Sequence, residues 1–206
     1  MTTRWPLAIS GASGSVAQAF IDQCAGAASD HLFKNGRQYF RHIGRGQGRD
    51  GFPWAERYLF AQGYLEQGSD LSVGNPLEHF RANCSDVIKR CGYAFSMNPK
   101  ARIVVIGSMS GINGSFNPYY AAAKAGLHHY VKTGWKPPGG VLNCIAPTII
   151  SDSEMTKARY DYPDVLKTRQ TVTCDTVARM IHFLLYADHG LNGTTIELAG
   201  ARLNID

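Results

Sequence analysis

Short apolar runs alternate with stretches of helical periodicity along most of the chain. Six runs are predicted as strands, over residues 6–10, 37–43, 57–61, 102–107, 140–145 and 194–198. Helices are predicted from the turn after Ser10 to about Ala25, over roughly 76–95, from Pro118 onwards, and over 175–186. Strands that alternate with helices favour an α/β fold with a mostly parallel sheet.

The distance between the second and third strands limits the number of strands. A dozen residues separate Arg45, after the second strand, from Arg57, which begins the third. A parallel crossover alone takes about that many residues, so a further strand and helix do not fit there. We therefore expect six strands, with the second at an edge of the sheet. The charges of Arg37 and Arg41 would oppose further pairing at that edge.

Length and composition are those of one globular domain over residues 1–206. The hydrophobic fraction is 44% and the charged fraction 18%, which is typical of a chain with a buried core. No apolar run is as long as a membrane span, and the start of the sequence lacks the apolar region of a signal peptide. We therefore expect a cytoplasmic protein without a membrane partner.

The five cysteines are odd in number, and no C-x-x-C pair occurs among them. This pattern argues against a disulfide framework or a zinc site and is typical of thiols in a reducing compartment. His128 and His129 are adjacent, but carboxylate or cysteine partners at ligand spacing are missing, so we predict no metal site.

The formal net charge of +5 predicts affinity for an anion. A phosphate-bearing cofactor is a sufficient partner. Nucleic acid binding requires clustered basic residues with interleaved aromatic residues, and the sequence does not show such a cluster convincingly. We expect no nucleic-acid partner, although charge alone keeps a basic nucleic-acid-binding module as an alternative.

A glycine turn follows the first predicted strand and leads into a helix. Its sequence is Ser10-Gly-Ala-Ser-Gly-Ser-Val-Ala17. At such a junction, backbone amides and the start of a helix receive a pyrophosphate. The same turn occurs in ordinary α/β proteins, but its place at the first strand–helix junction favours a dinucleotide site. The predicted cofactor contacts are Gly11, Ser13, Gly14, Ser15 and Val16.

Tyr120 and Lys124 are four residues apart, so a helix places both on one face. A tyrosine has an ordinary pKa near 10 and is a poor base at neutral pH. Lowering that pKa to about 7 takes roughly 4 kcal/mol, which a desolvated lysine and a cationic cofactor ring can supply together. Ser108 ends an apolar run twelve residues before Tyr120.

These features and four further motifs, taken in order, resemble the short-chain dehydrogenase/reductase family over nearly the whole chain. The remaining motifs are Phe60-Ala61-Gln62-Gly63 in place of N-N-A-G, Asn83, Asn143 to Thr148 in place of the P-G motif, and Gly193 to Leu198. The resemblance implies a Rossmann-type, doubly wound parallel sheet. The chain would be a truncated and divergent member that lacks the family's third strand and its helix.

The resemblance also implies roles for individual residues. Tyr120 would give or take the proton, Lys124 would lower its pKa and bridge ribose hydroxyls, and Ser108 would hold the substrate oxygen. Asn83 would hold a water that links Lys124 to solvent. Ordinary structural roles, a strand-end cap for Ser108 and a helix hydrogen bond for Asn83, remain open. Further implied cofactor contacts are Ala61, Gly63, Pro147, Thr148 and Ile150.

Three departures from the family pattern affect the site. The Ser108–Tyr120 spacing is one residue shorter than usual, so Ser110 is a second candidate for the serine. Thr148 replaces a glycine beside the expected nicotinamide site. Ser151 or Ser153 would have to replace the threonine that usually meets the carboxamide.

The sequence therefore predicts an NADP(H)-dependent oxidoreductase that interconverts a small alcohol and a carbonyl compound. The end of the second strand carries Arg45 and no carboxylate before Asp50. An arginine there favours the 2′-phosphate of NADP, whereas an acidic residue favours NAD. NAD(H) remains possible. A homodimer or homotetramer is expected, and a non-catalytic dinucleotide-binding or sensor protein with the same fold is the alternative.

Overall fold

A six-stranded parallel sheet forms the centre of the fold in the computed structural model, which describes residues 4–26, 33–34, 37–38, 40–44, 47–65, 75–159 and 161–202. Its strands are β1 (Arg4–Ser10), β2 (Phe40–Ile43), β3 (Trp54–Phe60), β4 (Arg102–Ile106), β5 (Val141–Pro147) and β6 (Thr195–Leu198). The spatial order is β6-β5-β4-β3-β1-β2, and every neighbouring pair is parallel.

Helices connect these strands and cover both faces of the sheet. They are α1 (Ser15–Gly26), α2 (Pro76–Phe80), α3 (Asp86–Met97), α4 (Ser110–Asn113), α5 (Pro118–Thr133), α6 (Glu154–Lys157), α7 (Tyr162–Thr168) and α8 (Cys174–Tyr186). A π-helical turn, Arg81–Ser85, joins α2 to α3, and Arg49–Gly51 forms a 3-10 turn. Within the described ranges, no helix is long and apolar enough to cross a lipid bilayer.

Shorter strands lie outside the main sheet. Ile149–Ile150, Gln170–Val172 and Ala201–Arg202 form a three-stranded sheet, in which the first pair is parallel and the second antiparallel. Phe33–Lys34 and Arg37–Gln38 form an antiparallel hairpin.

Alternate strand residues face opposite layers, which produces two hydrophobic cores. Leu7 and Ile9 contribute to the core with α1 and α8, whereas Ala8 between them contributes to the core with α3 and α5. In the same way, Leu59 belongs to the first core and Tyr58 to the second. This division follows from the two-residue period of a strand, and it makes the sheet doubly wound as predicted.

The six predicted strands are confirmed with small differences in their ends, and the second strand is shorter than predicted. Phe40 pairs with Leu7 of β1, whereas Arg37–Gln38 pairs with Phe33–Lys34 in the hairpin instead of joining the main sheet. Pro6, which precedes Leu7, has no N–H to donate to a neighbouring strand. The described pairs between β1 and β2 begin at Leu7, directly after this proline.

The predicted edge position of the second strand is also confirmed. Between β2 and β3, the described residues 47–53 contain the 3-10 turn and no strand. β2 is the last strand in the order of the sheet, and Arg41 on it is exposed.

Candidate active site

A cleft of about 1190 Å³ lies at the carboxyl ends of β1, β3, β4 and β5. The chain continues from β1 to one side of the sheet through β2 and to the other through β3 and β4. In open α/β sheets, such a switch point between neighbouring strands is where ligands bind. The residues that end these strands and the loops after them line the cleft.

The glycine turn after β1 forms one wall of the cleft. Gly11 has a φ of +77°, and a Cβ atom placed on it would lie 2.8 Å from the backbone nitrogen of Gln62. Glycine is required here because β1 and the loop after β3 approach closely and because the φ is positive. All five predicted turn residues line the cleft, namely Gly11, Ser13, Gly14, Ser15 and Val16.

Helix α5 carries Tyr120 and Lys124 to the base of the cleft. Its start is fixed by Pro118 in the first turn and by Asn117, whose side-chain oxygen accepts a hydrogen bond from the Tyr120 N–H at 3.0 Å. Lys124 is 2% exposed, and its Nζ donates to the carbonyl of Ile106 at 2.8 Å. The same Nζ lies 5.7 Å from the centroid of the Tyr120 ring.

Ser108 lies just beyond β4 and faces Tyr120. Its hydroxyl lies near enough to the Tyr120 phenol to lower the pKa of that group. Its Oγ also accepts from the N–H of Ser110 at 3.1 Å, and its own N–H donates to Nε2 of His128 at 3.3 Å. Ser110 lines the cleft as well, but the hydroxyl that contacts Tyr120 is that of Ser108, the first of the two sequence candidates.

Burial dominates the electrostatics of these groups. It raises the pKa of Tyr120, and the nearby Ser108 hydroxyl acts in the opposite direction. Burial lowers the pKa of Lys124 to about 8, which the Cys144 and Cys84 thiols oppose. The pKa of His128 falls to about 4 because of burial and the nearby Lys124 charge. The Tyr120 phenol is therefore protonated at neutral pH, and a further positive charge beside it would lower its pKa.

Asn83 is fully buried in the π-helical turn and does not line the cleft. Its side-chain oxygen accepts from the Tyr64 N–H at 3.0 Å, and its amide nitrogen donates to the carbonyls of Tyr64 at 2.7 Å and His79 at 3.1 Å. Both amide hydrogens are thus used by the backbone. The bond to His79 is the helix hydrogen bond that the sequence analysis left open, and the bonds to Tyr64 hold the loop after β3.

The other predicted cofactor contacts border the cleft. They are Ala61, Gly63, Pro147, Thr148 and Ile150. The hydroxyl of Thr148 donates to the carbonyl of Gln170 at 3.2 Å, which ties it to the three-stranded sheet. The hydroxyls of Ser151 and Ser153 donate to the backbone carbonyls of Val172 and Ile150.

Arg45, predicted to select the cofactor, lies outside the described residues. His42, Ile43 and Arg90 line the cleft at the carboxyl end of β2. Arg90 is almost fully buried and donates to Ser10 Oγ and to the carbonyl of Gly44, each at 2.9 Å. A single arginine in an amphipathic helix gives no sequence signal for this position, so the prediction missed it.

The opposite end of the cleft has mixed polarity. The guanidinium of Arg159 lies 4.9 Å from the centroid of the Phe116 ring and makes two hydrogen bonds, of 2.8 and 2.7 Å, to the carboxylate of Asp161. Phe116, Met155, Arg159 and Asp161 line the cleft. A small substrate would therefore meet an aromatic ring, a thioether and a paired charge.

The residues present fit a dinucleotide. Gly11 lets the turn pack closely against the loop after β3, and α1 begins directly after the turn, where the N–H groups of the first helical turn attract phosphate oxygens. The neighbouring floor carries a phenol, a hydroxyl and a buried ammonium. This arrangement suits proton transfer beside a nicotinamide ring.

No protein-family model matches this chain, and no curated protein matches it significantly. Solved structures match it through their fold. An oxidoreductase of the short-chain dehydrogenase/reductase family from Burkholderia thailandensis matches with a TM-score of 0.79 and 19% identity, over 97% of this chain and 92% of that chain.

Two further solved structures match to a similar extent. A short-chain dehydrogenase from Leptospira borgpetersenii serovar Hardjo-bovis, solved with bound NAD+, has a TM-score of 0.74 at 15% identity, over 97% of this chain and 92% of its own. A 3-hydroxyacyl-CoA dehydrogenase type-2 from Mycobacterium avium has a TM-score of 0.72 at 15% identity, over 97% and 95%. The chain therefore has the fold of these dehydrogenases, which confirms the Rossmann-type architecture predicted from sequence.

Proposed function

We propose that this chain is a member of the short-chain dehydrogenase/reductase family and interconverts an alcohol and a carbonyl compound with NADP(H). The proposed catalytic residues are Ser108, Tyr120 and Lys124, and Asn83 supports them by holding the loop after β3. One observation carries the proposal: Ser108, Tyr120 and Lys124 line one part of the cleft, where the Ser108 hydroxyl acts on the Tyr120 phenol and the buried ammonium of Lys124 lies 5.7 Å from the Tyr120 ring.

When bound, the cofactor supplies or accepts a hydride at its nicotinamide ring. In the direction of reduction, Tyr120 donates its proton to the substrate oxygen, and in the direction of oxidation it removes that proton. The Oγ of Ser108 accepts from Ser110, so the Ser108 proton is available for the phenol or the substrate oxygen. The serine thus holds the oxygen at which the proton moves.

Lys124 supports the tyrosine electrostatically. One of its three N–H donors is used by Ile106. The remaining donors would meet ribose hydroxyls of the cofactor, and the ammonium charge would favour the tyrosinate. A pKa of about 8 leaves the lysine mostly protonated near neutrality, as this role requires.

The cofactor would lie along the cleft from the glycine turn to Tyr120. Gly11, Ser13, Gly14, Ser15 and Val16 would receive the pyrophosphate, and Ala61, Gly63, Pro147, Thr148 and Ile150 would border the nucleosides. NADP(H) is the proposed cofactor because Arg45 follows β2 with no carboxylate before Asp50 in the sequence, and because the buried guanidinium of Arg90 lies beside the Gly44 carbonyl, just after β2. NAD(H) is the alternative cofactor.

The proposed partners are a small alcohol or carbonyl compound and further copies of this chain. Leu77 and Phe80 on α2 are 80% and 50% exposed, which supports a homodimer or homotetramer. We propose a cytoplasmic location because Cys24, Cys84, Cys91, Cys144 and Cys174 are all free and buried, as suits a reducing compartment.

A reductase screen tests this function. Aldehydes, ketones and quinones are incubated with the protein and NADPH or NADH, and the loss of nicotinamide absorbance is followed. Cofactor-dependent turnover that Tyr120→Phe removes supports the proposal. Cofactor binding without turnover of any substrate class would favour the non-catalytic dinucleotide-binding protein instead.

A further inference from the structure

His128 lies one helical turn beyond Lys124, on the same inner face of α5. Its Nε2 accepts a hydrogen bond from the backbone N–H of Ser108 at 3.3 Å. The imidazole therefore connects the helix that carries Tyr120 to the peptide that carries the serine.

The imidazole packs directly against the backbone before Ser108. A Cβ atom placed on Gly107 would overlap Nε2 of His128 and would lie 2.6 Å from Sγ of Cys144. Glycine at this position thus leaves the space that the imidazole fills. The contact depends on two sequence-distant positions, a glycine after β4 and a histidine in α5.

Nε2 can accept the hydrogen bond from the Ser108 N–H only if it has a free lone pair. The imidazole must therefore be neutral, with its proton on Nδ1. The surroundings of His128 favour the neutral form of its imidazole. Burial lowers the pKa of His128 to about 4, and the Lys124 ammonium on the same helix acts in the same direction. His128 is therefore a stable acceptor at physiological pH.

We propose that His128 is a positioning residue that holds Ser108 in register with the Tyr120 phenol. This inference rests on the function proposed above. The Ser108 peptide is fixed by His128 and its hydroxyl by Ser110, so the serine is held at two points. Such preorganisation stabilises a transition state because no reorientation is needed when charge develops on the substrate oxygen.

Three variants test the role of His128. His128→Leu removes the acceptor and keeps an apolar side chain, whereas His128→Gln keeps an acceptor oxygen on a side chain of similar length. We expect kcat to fall on the order of tenfold in His128→Leu and to recover largely in His128→Gln, with the cofactor dissociation constant unchanged in both. His129→Leu, at the exposed neighbouring position, is the control and should match wild type. An unchanged kcat in His128→Leu, or equal losses in Leu and Gln, would overturn the proposal.

Nuclear magnetic resonance separates this inference from the proposed function. The Ser108 amide proton should shift upfield in His128→Leu and return in His128→Gln, whether or not a substrate is known. If His128→Leu does not fold, the tautomer of the wild-type imidazole decides, since an Nδ1–H form supports the contact and an Nε2–H form excludes it. Full turnover in Tyr120→Phe would refute the proposed function, whereas loss of turnover there together with full turnover in His128→Leu would refute the role of His128 alone.

Discussion

The ammonium group of Lys124 donates a hydrogen bond to the backbone carbonyl of Ile106 at 2.8 Å. This bond fastens α5 to the carboxyl end of β4, so the elements that carry Tyr120 and Ser108 are held together by a residue of the site itself. The lysine therefore has a structural as well as a proposed chemical role, and its substitution should affect both.

Replacing Tyr120 by Phe removes the phenol and keeps the ring. We expect kcat to fall by about 10²–10⁴-fold because positioned acid–base groups contribute that much, while the cofactor dissociation constant stays close to wild type. Single-turnover kinetics and a fluorescence titration of NADPH measure the two quantities. Tyr119→Phe, on the exposed side of the same helix, is the control. Retention of more than about a tenth of kcat would remove Tyr120 from the proposed role.

Lys124 should destabilise the folded protein below about pH 8. Burial lowers its pKa from 10.5 to about 8, so between these values the unfolded state binds more protons and stability rises with pH. The penalty is full below about pH 8 and amounts to roughly 3 kcal/mol.

Lys124→Met should therefore raise the free energy of unfolding at pH 7 by about 1–2 kcal/mol, because the relieved penalty exceeds the roughly 1 kcal/mol lost with the Ile106 hydrogen bond. Turnover should be lost in the same variant. Urea denaturation near pH 7 and near pH 10 measures the effect. A difference between variant and wild type that is equally large at both values would contradict the pKa shift.

Gly11→Ala should disrupt the glycine turn. The new Cβ would meet the Gln62 nitrogen at 2.8 Å in a left-handed backbone conformation, which costs about 1–2 kcal/mol for the conformation alone. We expect a lower melting temperature and a loss of NADPH affinity. Gly92→Ala is the matched control, since Gly92 is exposed in α3 and a Cβ there meets nothing within 4 Å. It should stabilise the protein slightly, and equal effects of the two variants would be evidence against the close approach.

Arg45→Ala should reduce NADPH affinity roughly ten- to a hundredfold, because a charge-assisted contact with phosphate is worth about 1.5–3 kcal/mol. NADH affinity should hardly change. Isothermal titration of both cofactors measures the preference, and Arg41→Ala, which removes an exposed charge from β2, controls for net charge. If wild type binds both cofactors equally, or if Arg45→Ala keeps its NADPH affinity, Arg45 does not select the cofactor.

Local patterns explain why much of the fold could be predicted. The alternation of Leu7, Ala8 and Ile9 between two cores depends on strand periodicity alone. The shared face of Tyr120 and Lys124 follows from their spacing in one helix. Pro118 and Asn117 mark the start of that helix by the chemistry of the first turn.

The features that sequence reasoning missed depend on contacts between distant segments. Arg90 donates a hydrogen bond to Ser10, which lies 80 residues away in the sequence. Ser108 donates one to His128, which lies 20 residues away. Asn83 bonds to Tyr64 because of the path of the loop after β3, which no local sequence pattern indicates. The second strand was predicted too long because Arg37–Gln38 pairs with Phe33–Lys34, a contact that the alternation over residues 37–43 does not indicate.

The three-stranded sheet beside the cleft has a further consequence for how this protein can change. Ile149 pairs with Thr171 and Ile150 with Val172. The segment between Ile150 and Gln170 therefore begins and ends at two strands that are paired with each other. That segment places Met155 and Arg159 in the lining of the cleft. The strand Ile149–Ile150 connects the segment to β5. Insertions, deletions or exchanges within the segment can therefore reshape the substrate side and leave the main sheet intact. The main sheet can therefore stay constant while the segment between Ile150 and Gln170 varies. Directed evolution of substrate range should begin in this segment.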